Sequence, residues 1–245
     1  MALSGRGEAR QALLEVLAPL IGDSRVLEAM ASTPRECFVA EGERGRAYEN
    51  VPLDIGCGQT ISQPLVVARM LELLALTGRE RVLDVGTGSG YHAALLARLA
   101  GEIWSVERHA ALRERAAINL RAAGSGAVHL MVGDGWRGLA DHAPYDAINV
   151  AATAATGVPP ALEQQLARGG RLVLPVGVGH NQRLVLVRRL DDGELHRRVL
   201  ERVRFVDLVA DQRRQAEPSA TAVPSEPPVP SEPPAPPAPP APPSK

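Results

Sequence analysis

Between residues 80 and 206 the chain alternates short apolar, β-branched runs with longer stretches in which apolar residues recur every three or four positions. The first pattern fits strands and the second amphipathic helices. Arg81–Val85, Glu102–Glu107, Val128–Val132, Tyr145–Val150 and Arg171–Val176 are the predicted strands, each ending near a Gly, Asp or Glu. Tyr91–Ala100, Ala110–Ala123 and Pro159–Ala167 are the predicted helices between them, the last with proline at its start and Gly169-Gly170 just past its end. Strand and helix in alternation predict a mostly parallel, doubly wound α/β sheet. Gln182–Arg189 and Leu195–Phe205, joined through Asp191-Asp192-Gly193, predict an antiparallel hairpin that closes it.

The segments on either side follow other patterns. Residues 1–79 show helical periodicity at Ala9–Leu20 and Asp23–Met30, then an irregular stretch rich in Gly, Pro and Glu, then a third helical run, Pro64–Leu76. They read as an N-terminal helical cap that also carries an active-site segment, packed beside an α/β core spanning 80–209. From about Glu217 the composition changes, with 13 of the 21 prolines between Pro218 and Pro243. Proline lacks the N–H and fixes φ, so residues 217–245 are expected to be a disordered, extended tail. A plain solvated appendage is favoured over a ligand for a polyproline-binding module.

Composition narrows the partners. The 245 residues carry 27 basic and 28 acidic side chains, so no overall field gathers a polyanion and nucleic acid is not an expected partner. The longest apolar runs, such as Leu172–Val178, fall well short of the ~20 residues that span a bilayer, and no membrane partner is expected. Nothing near Met1 reads as a signal peptide. Cys37 and Cys57 are too few for a disulfide framework and lack zinc-site spacing, which fits a reduced cytoplasm. The six histidines include no H-x-x-x-H pair, and no metal is expected. His92 reads as a surface or half-buried residue, and Trp104, Trp136 and Tyr145 as core or pocket wall. A monomer is the expected state.

The chemistry concentrates at Val82-Leu-Asp-Val-Gly-Thr-Gly-Ser-Gly-Tyr91, which puts glycines at 86, 88 and 90 between a strand and a helix. The spacing lacks the last glycine of the dinucleotide fingerprint, because position 91 is Tyr. With no phosphate to cradle, the turn at Gly86, Thr87 and Gly88 can hold the amino acid portion of S-adenosyl-L-methionine (AdoMet). Three acids stand at successive strand ends where the rest of that molecule would lie. Asp84 ends the first strand within reach of the methionine ammonium. Glu107 ends the second and can accept from both ribose hydroxyls. Asp134, beside Gly135 after the third, can accept from the adenine amino group. Any one of these acids could instead be a solvated loop carboxylate or a helix cap.

A second segment is more specific. Ile55-Gly-Cys-Gly-Gln-Thr-Ile-Ser-Gln-Pro64 resembles the hallmark of the protein-L-isoaspartate (D-aspartate) O-methyltransferases. Thr33–Val39, Ala47–Leu53, Leu83–Tyr91, Val106–Arg108, Gly133–Gly135, Val158–Pro160, Gly169–Gly177 and Arg204–Val206 resemble that family in order and spacing. The resemblance covers about residues 23–209. It implies a Rossmann-like, AdoMet-dependent methyltransferase fold. The implied activity is methyl esterification of the free carboxylate of isoaspartyl and D-aspartyl residues in damaged proteins, with repair through a succinimide. It further implies that Ser62 is the active-site residue, and that Gln59, Thr60 and Ile61 help close over the cofactor. Thr60 and Ser62 could equally cap the helix starting near Pro64. Cys57 stands where the family commonly has histidine and Leu65 where it has an aromatic, while Gln182 corresponds to a common glutamine near the site.

Two other functions compete. A nucleic-acid methyltransferase would want an Asn/Asp-Pro-Pro-aromatic motif after the fourth strand, where this chain has Asn149-Val-Ala-Ala152. An AdoMet-binding adaptor would not need Ser62 and all three acids.

Overall fold

The computed structural model describes residues 2–209, so the proline-rich segment from residue 217 lies outside the described residues. Seven strands form the main sheet in the order β5-β4-β3-β6-β7-β8-β9. They are β3 (Arg81–Val85), β4 (Glu102–Glu107), β5 (His129–Val132), β6 (Tyr145–Val150), β7 (Leu166–Val176), β8 (Arg183–Arg189) and β9 (Leu195–Arg202). β3 to β7 run parallel, and β8 and β9 are antiparallel additions. The Rossmann-like sheet with its closing hairpin is thus present as the alternation predicted.

The strands read as near-continuous apolar runs because both faces are covered. Val82, Ile103, Ala147, Val173 and Leu184 turn to one face, where they meet α3 (Pro64–Leu74), α4 (Tyr91–Leu99), α5 (Ala110–Ala122) and the N-terminal helices. Leu83, Val106, Ile148, Leu172 and Val185 turn to the other, covered by α6 (Pro160–Gln165) and the loops around Trp136 and Val158. The first cluster also takes in Leu13, Leu17, Val26, Met30 and Phe38, so α1 (Ala2–Leu17) and α2 (Ser24–Ser32) share a core with the sheet.

Three elements depart from expectation. The helix predicted over Pro159–Ala167 stops at Gln165, and β7 starts at Leu166, five residues before the predicted Arg171. Leu166 continues the helical spacing of Leu162, but it pairs with Tyr145, and the register then shifts before Ala147 meets Arg171. The segment expected to be irregular contains a small antiparallel hairpin, β1 (Leu53–Gly56) and β2 (Gln59–Ile61). Its two-residue turn, Cys57-Gly58, takes positive φ at both positions (55° and 67°), the signature of a tight hairpin turn. The last strand ends at Arg202 instead of Phe205, and the chain then bends back across the sheet, bridging Thr153 to Asp207.

Candidate active site

Chain order puts β3 at the centre, sends β4 and β5 to one side and brings β6 back to the other, so a crevice opens beyond the carboxyl ends of β3 and β6. A cleft open to solvent occupies that position. Its wall takes Val85–Ser89 after β3, Val106–His109 after β4, Gly135 after β5 and Ala151-Ala152 after β6. β2 supplies Gln59, Thr60 and Ile61 from above, and Ser62 follows them. Nine of the eleven residues expected at the site therefore meet here: Ser62, Gln59, Thr60, Ile61, Gly86, Thr87, Gly88, Glu107 and Gly135 line one cleft.

The glycine turn works as its spacing implied. Gly86 (φ 86°), Gly88 (φ 53°) and Gly90 (φ 92°) all adopt conformations that other residues rarely take. Val106 O accepts from Gly86 N at 2.9 Å, which pins the turn to β4 and leaves backbone facing the cleft. Glu107 is buried (6% exposed) and accepts from Gly88 N at 2.8 Å through Oε2 and from His109 N at 2.9 Å through Oε1. A carboxylate has about four acceptor sites, so two of them stay available to a ligand.

Asp84 and Asp134 are held elsewhere. Asp84 is fully enclosed at 0% exposure and does not line the cleft. Its Oδ1 accepts from Asn149 Nδ2 and its Oδ2 from Ser105 Oγ, both at 2.8 Å, and the Thr87 hydroxyl lies 2.6 Å from that of Ser105. The carboxylate thus braces the glycine turn through Ser105 and Thr87. Burial pushes its pKa up to about 6, against the lowering effect of the Asn149 and Ser105 hydrogen bonds. Asp134 accepts from Trp136 N at 3.0 Å and shapes the turn that carries Gly135 to the cleft.

Ser62 caps nothing. The residue before α3 is Gln63, without a side-chain cap, and Asn50 Oδ1 accepts the Leu65 N–H at 3.0 Å instead. Ser62 is half-buried in the cleft wall, and its carbonyl accepts from Arg35 Nη2 at 2.9 Å.

Several lining residues escaped the sequence. His92 is only 6% exposed, because α4 packs against α2 and the cap, and it forms part of the cleft wall. Burial, and then Arg35, lower its pKa to about 4, so it is neutral near pH 7 and a weak base. Val206–Val209 close the far side of the cleft, tied down by Thr153 N to Val206 O and Leu208 N to Thr153 O, both 2.8 Å. Gln182 is the clasp for this segment: its Oε1 accepts from Phe205 N at 2.6 Å and its Nε2 donates to Phe205 O at 3.1 Å. Gln182 does not itself line the cleft, and neither does Trp104, which is stacked between His129 and His142. Among the described residues no cluster of His, Cys, Asp or Glu could hold a metal, and no helix is long and apolar enough to cross a membrane.

A parallel sheet closed by an antiparallel hairpin, with a glycine turn and an acidic strand end at its switch point, defines the class of Rossmann-like methyltransferases. Within that class, residues 9–213 match the family described as Protein-L-isoaspartate(D-aspartate) O-methyltransferase (PCMT), and the chain belongs to it. The chain is 53% identical over 193 residues to protein-L-isoaspartate O-methyltransferase 2 of Marinobacter nauticus, a match covering 78% of this chain and 88% of that protein. A solved protein-L-isoaspartate O-methyltransferase superposes with a TM-score of 0.73 at 30% identity, covering 81% of this chain and 65% of that one, so the chain spans about two thirds of its length. A candidate enzyme of the same name from Plasmodium falciparum, described in complex with S-adenosyl-L-homocysteine, superposes with a TM-score of 0.72 at 24% identity. That match covers 82% of this chain and 99% of the other.

Proposed function

We propose that the chain is a protein-L-isoaspartate O-methyltransferase, which moves the methyl group of AdoMet to the free carboxylate of isoaspartyl residues in damaged proteins. The observation that carries this reading is the meeting of the hairpin segment Gln59–Ser62 with the glycine turn and Glu107 in one cleft.

The chain's own groups fit the cofactor. The positive-φ glycines expose backbone to the cleft, and Glu107 keeps acceptor capacity beyond its two backbone donors. On this reading Gly86–Gly88 receive the methionine end, Glu107 the ribose and Gly135, with Asp134 behind it, the adenine. Asp84 braces the glycine turn through Ser105 and reaches the ligand only through that turn. When bound, AdoMet supplies a sulfonium-activated methyl group.

The nucleophile needs no strong base. A peptide carboxyl group has a pKa near 4, so it is already ionised at neutral pH. Neutral His92 is consistent with that economy. The protein's task is to align the carboxylate, exclude water and leave one oxygen free to attack in line. Ser62, whose hydroxyl takes no part in helix capping, is suited to donate to the other oxygen. The new O–CH3 bond forms as the S–CH3 bond breaks, and that bonding pair stays on sulfur. The ester then collapses to a succinimide, and hydrolysis returns some normal aspartate.

A monomer in the cytoplasm, with neither nucleic acid nor membrane as partner, belongs to the same proposal on the strength of the balanced charge and two free cysteines. Prolonged incubation of an isoaspartyl peptide with the chain and AdoMet, followed by chromatography, tests the function. The aspartyl form of the peptide is expected to appear. An isoaspartyl peptide that persists unchanged would overturn the reading.

A further inference from the structure

Arg35 is a cation without a counter-ion. It opens the single turn Arg35–Phe38 after α2 and is wholly enclosed, at 0% exposure. Its Nε donates to Ala47 O at 2.8 Å and its Nη2 to Ser62 O at 2.9 Å, and the guanidinium carbon lies 4.9 Å from the centre of the Tyr91 ring. Nη1 is buried with no hydrogen-bond partner. Among the described residues no carboxylate comes within ion-pair distance of it. The Tyr91 phenol interacts with the guanidinium, but burial raises its pKa and keeps it neutral, so it is a neutral partner and not a counter-ion.

Two carbonyls and an aromatic face offset only part of the cost of taking a charge out of water. A hydrophobic side chain of similar volume would serve packing at least as well. The cleft lies one residue away. Ser62 accepts from Arg35 with its carbonyl and lines the cleft, so a ligand beside Ser62 sits in the field of the guanidinium. His92 on the same wall already feels that field.

We propose that Arg35 is a positioning residue that anchors the Gln59–Ser62 segment through the Ser62 carbonyl and gives the substrate subsite a positive potential, selecting a carboxylate over its uncharged amide. This rests on the reading of the cleft as a carboxyl methyltransferase site. The anion loses its charge as it becomes an ester, so Arg35 strengthens binding of the free carboxylate more than that of the transition state. Its removal therefore raises KM and leaves kcat unchanged or higher, whereas displacement of Ser62 alone would lower kcat.

The test compares Arg35→Gln, which keeps a donor but no charge, with Arg35→Lys, which keeps the charge, in the full chain. Arg35→Gln is expected to raise KM for an isoaspartyl peptide about tenfold or more, with kcat within about threefold and S-adenosyl-L-homocysteine affinity within about twofold. Arg35→Lys should recover most of the KM. Equal KM in the two variants, or a loss carried wholly by kcat, would overturn the proposal. A second measurement needs no variant: the parent, saturated with S-adenosyl-L-homocysteine, should bind the isoaspartyl peptide about tenfold tighter than the same peptide bearing isoasparagine amide. Equal binding of the two peptides overturns the proposal even if both variants misfold. Absence of methyl transfer by the parent would instead count against the function itself.

Discussion

Replacing Glu107 with alanine removes an acceptor that has two occupied and two available sites. The occupied sites hold Gly88 N at 2.8 Å and His109 N at 2.9 Å, so part of the cost falls on the glycine turn. The available sites are those assigned to the ribose hydroxyls. A hydrogen bond to a charged group contributes about 1.5–3 kcal/mol, and each 1.4 kcal/mol is tenfold in affinity, so AdoMet should bind about ten- to a hundredfold more weakly. Glu107→Gln keeps one carbonyl acceptor and should fall between parent and alanine. Calorimetric titration well below the melting temperature, with circular dichroism to confirm folding, gives the number. An unchanged Kd in folded Glu107→Ala would remove this side chain from the cofactor site.

Ser62→Ala should lower kcat by about one to two orders of magnitude while AdoMet affinity and melting temperature stay level, because the hydroxyl caps no helix. Full turnover on an isoaspartyl peptide would remove Ser62 from the chemistry. Asn50→Ala should do the reverse, costing about 1 kcal/mol or a few degrees in melting temperature through the lost acceptor at Leu65 N. A melting temperature equal to the parent's would contradict that capping role. Burial raises the Asp84 carboxyl from 3.8 to about 6, so the folded protein holds this proton more tightly than the unfolded chain. Its contribution to stability is therefore fullest below about pH 4, falls as pH rises to about 6 and is flat above, a change of about 3 kcal/mol. Urea midpoints of the parent should drop relative to Asp84→Asn across that window, and parallel curves would contradict the assignment.

The parts of the site written in local sequence were legible, and the parts made by tertiary contact were not. Gly86, Gly88 and Gly90 announce a turn because positive φ is a property of single residues. Strand ends at Val85 and Glu107 follow from apolar runs that stop, and the strand order then brings them together. The β1–β2 hairpin carried a signal in Gly56-Cys57-Gly58 that an irregular reading passed over. Asp207–Val209 had none beyond the family likeness of Arg204–Val206 and Gln182, because their place depends on Gln182 clasping Phe205 across 23 positions of the chain. Arg35 looks like any surface arginine until Ala47, Tyr91 and Ser62 gather round it. Asp84 was readable as a strand-end acid, but its enclosure by Ser105 and Asn149 needed the neighbouring strands.

Methyl-labelled AdoMet offered with two peptides that differ only in carrying isoaspartate or aspartate at one position tests the central claim most directly. Base-labile label is expected on the isoaspartyl peptide alone. Base-stable label, label on both peptides alike, or none on either would contradict it.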